Sequence, residues 1–409
     1  MKYLPILFLL FSNGLMAQSP TCDCRAELDF AYRKVKKSIS FKDQFDKEGK
    51  AEFNDHYQSL VSSSANLSLY DCFLLLNDLI EPLRDNHLYI DGNVAPMSLA
   101  ELKDPAKLKA FRETGGFGVF PRSSRDLDSL SAALQEKSMA SVEGIYYYGQ
   151  FLEVGVYGTG PWYGVVLQSE LPSWEAGELI LRLEQVSGEQ YRNTSGNFVS
   201  KKLVHYQERI VEGTHLRMGW SKDPSPSYFD RRSLFEETYG FKQLEDGVQY
   251  LKLGSFNAFG DNLALADSFA ASLEGKLTAE ALVVDLRGNT GGGPRCSGQF
   301  FELLSDYTEF HPIYVLVNYS TISNAEQFTA DLKRLPSVTV LGIPTNGTVS
   351  YGRNKSNSHT FPSGHFRIHI TDSRHPQYLE FEEVGIVPDV RLESDRDWIE
   401  QVLEYIKKS

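Results

Sequence analysis

From residue 246 to the C-terminus, short apolar runs alternate with amphipathic ones. Val248–Phe256, Ala281–Leu286, Tyr314–Asn318 and Val338–Ile343 are compact apolar stretches of strand length. Between them, Leu263–Leu273, Ser297–Leu304 and Asn324–Leu335 carry apolar residues at helical spacing; in the last, Ala325, Phe328, Leu332 and Leu335 share a face. This alternation predicts an α/β core: a largely parallel sheet covered by helices, closed by a final helix Trp398–Ile406. The first ninety residues read differently. Leu28, Ala31, Val35 and Ile39 mark one amphipathic helix and Phe73–Ile80 a second, which Pro82 stops. Arg84-Asp-Asn-His-Leu-Tyr-Ile90 then reads as a turn into a strand. Residues 91 to 130 are mixed and loop-rich. From about 140 to 220 the period shortens to that of strands, as in Gly144–Gly149, Leu152–Tyr157, Gly164–Gln168 and Glu178–Leu183. Gly and Pro punctuate these aromatic-rich segments, which predicts a small antiparallel barrel or sandwich.

Composition narrows the class. A chain of 409 residues with 41% hydrophobic content is long enough for two or more domains. Its formal charge of −13 argues against a nucleic-acid partner, which needs a basic face. After the first twenty positions no apolar run reaches the roughly 18 residues of a membrane span. Residues 1–17 have the shape of a signal peptide: a short basic start, the apolar run Leu4–Phe11, a break at Ser12-Asn-Gly14, and Ala17 as the cleavage residue. The expected organisation is therefore a signal peptide (1–17), an N-terminal helical cap (18–90), a mixed then β-rich middle (91–245) and a C-terminal core (246–409). The mature protein is expected to be exported, periplasmic or extracellular. Four cysteines fit an oxidising compartment, and a bridge from Cys22 or Cys24 to Cys72 would pin the N-terminal tail. Cys-Asp-Cys lacks a second ligand pair, and His365-Phe-Arg-Ile-His369 lies in a strand-like run without a third ligand. Neither predicts a metal site.

The chemistry concentrates at two strand ends, where open α/β sheets build their sites. Arg287-Gly-Asn-Thr-Gly-Gly-Gly293 follows one strand, and Ser320-Thr-Ile-Ser323 follows the next. Ser323 falls at the N-cap of the helix beginning at Asn324, where free N–H groups and the helix dipole favour negative charge. The glycine turn lacks the lysine of a phosphate loop. It reads better as part of an oxyanion hole, with one N–H from Gly291 or Gly292 and one from Asn324. Arg287 reads as an internal salt-bridge residue.

Four elements in order resemble one family. Leu286-Arg-Gly-Asn-Thr-Gly-Gly292, Ser323-Asn-Ala-Glu326, Gly342-Ile-Pro-Thr-Asn-Gly347 and Glu382-Glu-Val-Gly-Ile-Val-Pro-Asp389 are similar to the signature segments of the tail-specific (C-terminal-processing) serine peptidases. The resemblance covers residues 246–409 well and leaves the β-rich middle unexplained. It implies a crotonase/ClpP-like core, a peptide or protein substrate, no cofactor and Ser323 as nucleophile. One design in the family uses a lysine, but Thr348 stands at that position, with Lys355 the nearest substitute. The design of the tricorn-core and retinoid-binding-protein-like branch uses serine, histidine and an acid. Asp85-Asn-His87 fits its histidine element, which makes His87 the base. Glu382 matches the orienting acid, acting through Asn86; Asp85 is the nearer alternative. The rival readings are a catalytically inactive binding protein on the same fold and an acyl-ester hydrolase.

Overall fold

The computed structural model describes residues 21–114, 116–353 and 357–409. The expected signal peptide and Lys355 lie outside them. The C-terminal half is a six-stranded sheet in the order Val390–Arg391, Val338–Gly342, Ile313–Val317, Ala281–Asp285, Val248–Leu253 and Tyr239–Glu245. All neighbours run parallel except the edge strand Tyr239–Glu245. That strand is joined to Val248–Leu253 by a hairpin, so the sheet begins upstream of residue 246. Its central strands are buried on both faces, as the unbroken apolar runs require. Helices Asp261–Ser272, Pro294–Thr308 and Asn324–Leu332 follow successive strands, and Trp398–Ile406 ends the chain.

The β-rich middle is an antiparallel meander of seven strands, in chain order from Gly144–Tyr148 to Thr214–His215. Ser221 bridges both Tyr147 in the first strand and Thr214 in the last, so the meander closes on itself and leaves no free edge there. Three helices between it and the N-terminal region, Leu99–Leu102, Pro105–Arg112 and Leu127–Gln135, replace the expected loops. Each begins at a Ser or Asp whose side chain accepts from the first turn. Such capping stabilises short helices that carry too few apolar residues to show a clear period.

The N-terminal helices Cys24–Val35, Lys47–Ser62 and Leu69–Ile80 share one apolar core with the barrel and with the hairpin of strands Ser358–Thr360 and Phe366–His369; Leu28, Phe73, Trp220 and Phe366 all belong to it. A disulfide joins Cys24 to Cys72, which resolves the choice between Cys22 and Cys24. Cys22 stays a thiol whose pKa burial pushes up to about 12. Cys72→Ser is expected to lower stability by about 4 kcal/mol, because the bridge closes a loop of 48 residues in the unfolded chain. Urea unfolding of the two proteins measures this.

The strand Tyr89–Gly92 does not stay with the helices that precede it. It pairs antiparallel with Phe366–His369, Tyr89 opposite His369 and Gly92 opposite Phe366. The Asp85-Asn-His87 turn is thereby carried to the C-terminal half.

Candidate active site

Ser323 caps its helix in an unusual way. Ser38, Ser68 and Ser98 also precede helices, and all three have extended backbones with side chains accepting from the first turn. Ser323 instead has φ 60° and ψ −124°. An L-residue rarely adopts that region, and it costs about 1–3 kcal/mol that the surroundings must supply. Two contacts hold the turn. The Ser323 N–H donates to Glu326 Oε2 at 2.9 Å, and the Ile322 N–H donates to the Asn289 carbonyl at 3.0 Å.

The glycine turn closes over this serine. A Cβ on Gly291 would lie 2.6 Å from the Ile322 oxygen, 2.8 Å from the Asn324 nitrogen and 2.9 Å from the Ser323 Cβ. Only a glycine, with its φ of 86°, allows that approach. The expected oxyanion donors divide here. The Gly291 N–H is spent on Asn289 Oδ1 at 2.9 Å. Gly292 and Asn324 donate to no described group. Asn289 is itself buried and anchored through its amide to the Leu253 carbonyl at 2.9 Å. Arg287 pairs with Asp285 at 2.6 Å, inside the sheet end and away from any ligand role.

Glu326, quoted in the nucleophile motif but given no role by the sequence, organises the site. It is fully buried and accepts four hydrogen bonds: from the Ser323 and Thr348 N–H groups on one oxygen, and from the Gly347 N–H and Thr345 hydroxyl on the other. Burial pushes its pKa up to about 7 against those donors. Its position three residues after Ser323 in one helical turn was the only signal available. Thr348, at the family's lysine position, donates its hydroxyl to Asn346 Oδ1 at 2.6 Å.

His87 lines a cavity of about 460 Å³ together with Asp85, Asn86, Ile322, Asn346 and Thr348. Ser323 is half-buried beside Ile322. No hydrogen bond joins His87 to Ser323, and the buried His87 Nδ1 has no partner among the described residues. Burial first, then the charges of Arg353 and His375, lower the His87 pKa to about 4.

The two acids meet the backbone of the histidine turn and not the His87 ring: Asp85 at His87 itself, Glu382 at Asn86. Asp85 Oδ1 accepts from the N–H groups of His87 and Leu88 at 3.1 Å each, and Oδ2 accepts from Thr371 Oγ1 at 2.8 Å. Glu382 accepts from the Asn86 N–H at 2.8 Å, and from the Val349 and Ser350 N–H groups at 2.8 and 2.6 Å. Burial nonetheless raises its pKa to about 8. The expected bridge through the Asn86 amide is not made; Asn86 Nδ2 donates to the Gly347 carbonyl at 2.8 Å instead. The reason is competition. Asn86 offers Glu382 a backbone N–H, which leaves its side chain free to pin the 347–350 loop. Arg84 completes the staple, donating to the Glu382 carbonyl at 2.8 Å.

His369, in the strand-like run set aside as a metal motif, takes Asp91 at 3.2 Å and the Ser358 hydroxyl at 2.7 Å. Among the described residues no group of three or more potential ligands is clustered for a metal ion, and no helix is long and apolar enough to cross a membrane.

Residues 298–392 match the model of peptidase family S41. None of the curated proteins matches the sequence. Among solved structures, a candidate peptidase from Parabacteroides merdae is 16% identical over 94% of this chain and 97% of its own, with a TM-score of 0.39. The photosystem II D1 C-terminal processing protease is 16% identical over 92% of this chain and 94% of its own, at 0.38. The tricorn protease is 12% identical over 95% of this chain and 37% of its own, at 0.41.

Proposed function

We propose that this serine-type peptidase, whose residues 298–392 match the model of peptidase family S41, cleaves peptide bonds through Ser323 as nucleophile and His87 as general base. The observation that carries this reading is the backbone of Ser323, held at φ 60° against Gly291 at a strand-to-helix turn. Strain of this kind lifts a nucleophile's hydroxyl out of the turn and towards substrate. The Ser323 oxygen attacks the scissile carbonyl as His87 takes its proton, and the imidazolium then protonates the leaving amine. The N–H groups of Gly292 and Asn324 receive the oxyanion. Water repeats the sequence on the acyl-enzyme and frees the acid product. Asp85 and Glu382 are positioning residues that fix the turn bearing His87. Catalysis requires the serine and histidine to close to roughly 2.6–3.2 Å, which substrate binding brings about.

Within this reading, residues 239–409 form the catalytic core on a crotonase-like plan, 21–90 the helical cap, and 91–238 the middle region that walls the cavity. The Cys24–Cys72 disulfide supports export to an oxidising compartment after removal of residues 1–17.

A fluorophosphonate probe tests the proposal. Labelling of the native protein at Ser323 supports it, and its absence favours a binding protein. Peptide and ester panels then separate the two hydrolases. The pH profile tests the base. His87 acts only when neutral, so its depressed pKa moves the acid limb of kcat/KM down to near pH 4. Activity at pH 5.5 is expected to lie within about twofold of that at neutrality. Glu326 and Glu382 titrate near 7 and 8, so a limb centred at pH 6 or above removes His87 from the role only where it persists in Glu326→Gln and Glu382→Gln.

A further inference from the structure

We propose that Ser350 is a positioning residue for the same reaction: when the site closes on substrate, its hydroxyl accepts the His87 Nδ1–H and in turn donates to Glu382. The inference rests on the peptidase reading and deepens it by supplying the contact that orients the base.

A histidine that takes a proton on one ring nitrogen carries a hydrogen on the other, and a buried N–H needs an acceptor. His87 Nδ1 is buried and has no partner among the described residues. The acids of the turn do not supply one. Asp85 is taken up by two backbone N–H groups and the Thr371 hydroxyl, and Glu382 by three backbone N–H groups. An unmatched acceptor does stand in the adjoining segment. Ser350 is only 1% exposed, and its Oγ likewise has no partner among the described residues. Each atom left so costs stability. A donor and an acceptor unmatched on two segments of one site point to a bond made in its closed state.

Glu382 ties the two segments together. Its Oε1 accepts from the N–H of Asn86, the residue before His87, at 2.8 Å, and its Oε2 accepts from the N–H of Ser350 at 2.6 Å. The Asn86 amide adds a second tie, to the Gly347 carbonyl. The charges that act on His87 come from the same ribbon. Arg353 follows Ser350 in the chain, and the His375 N–H donates to the Ser350 carbonyl at 2.6 Å. The Val349 carbonyl accepts from Gln327 at 2.8 Å, which fixes this ribbon to the helix that Ser323 begins. The serine hydroxyl has one donor and two acceptor sites, so it can hold the Nδ1–H and Glu382 Oε2 together. Turning it towards both takes a change of the single torsion χ1 between staggered wells, with no movement of the backbone.

The test is Ser350→Ala in the full chain. The hydroxyl makes no contact in the free protein, so the variant is expected to be at least as stable as the parent by urea unfolding. Hydrolysis of a fluorogenic peptide is expected to show kcat lowered roughly tenfold or more, with KM within about twofold. A second readout follows the contact itself. Phosphonylation of Ser323 by the fluorophosphonate fixes a closed, product-blocked site, and proton NMR of the adduct is expected to show a low-field His87 Nδ1–H resonance. That resonance is expected to be absent from the Ser350→Ala adduct. A kcat within about twofold of the parent overturns the proposal, as does a fall in kcat matched by a fall in stability, or a resonance that survives the substitution. Failure of the peptidase reading registers separately: the parent itself then takes no fluorophosphonate, and the role of Ser350 falls with it.

Discussion

Ser323→Ala is expected to lower peptide hydrolysis by roughly 10⁴-fold or more and to abolish fluorophosphonate labelling, with stability preserved. The size follows from the absence of a substitute. Three neighbouring hydroxyls are occupied: Thr321 donates to the Leu286 carbonyl at 3.0 Å, Thr345 to Glu326 at 2.6 Å, and Thr348 to Asn346 at 2.6 Å. Alanine also tolerates the left-handed backbone no better than serine, so the turn stays under the same strain. The substitution removes an oxygen and little else. Measurement of kcat/KM with a fluorogenic peptide, beside urea unfolding of the same sample, checks both halves. A variant that keeps more than about a tenth of the activity would mean that another group attacks the substrate.

Glu326→Ala is expected to be the most damaging change to the architecture of the site. Four donors from three segments converge on this carboxylate: Ser323 at the nucleophile turn, Thr345, and Gly347 with Thr348 in the loop beyond. Buried donors left without an acceptor cost about 1–3 kcal/mol each, and relaxation recovers part of that. A loss of at least about 3 kcal/mol is expected by urea unfolding. Activity is expected to fall with it even under conditions where the protein remains folded, because the Ser323 N–H then loses the contact that holds its backbone. Glu326→Gln tests which property matters. It keeps the shape but turns one acceptor oxygen into a donor facing other donors, so it too is expected to destabilise. A glutamine variant as stable as the parent would show that the carboxylate's acceptor capacity is dispensable.

Much of this was legible in the chain, for a physical reason. Parallel strands buried on both faces must be continuous apolar runs, so Ala281–Asp285 and Ile313–Val317 announce themselves, and the helices between them carry a clear period. Ser323 and the Gly291-Gly292 turn are legible because a nucleophile turn and its close neighbour demand residue types that little else requires. What stayed hidden depends on distant partners. Lys47–Ser62 buries only Phe53 and Tyr57, too few to mark a face. Glu382 was expected to reach the histidine through the Asn86 side chain. Which atom of Asn86 it meets depends on the 347–350 loop, whose path no local pattern encodes.

The pairing of Tyr89–Gly92 with Phe366–His369 has a consequence in time as well as in space. The proposed base precedes Ser323 in the chain, yet the strand that anchors its turn is made only after that serine. A nascent chain long enough to contain both Ser323 and His87 still lacks the partner that brings the histidine turn to the serine. Contacts spanning such a sequence separation also form late in folding, since chain closure must be met before they repay it. The proposed centre therefore waits on the synthesis of residues 366–369, and a chain halted before them holds Ser323 and His87 without the pairing that positions the histidine turn.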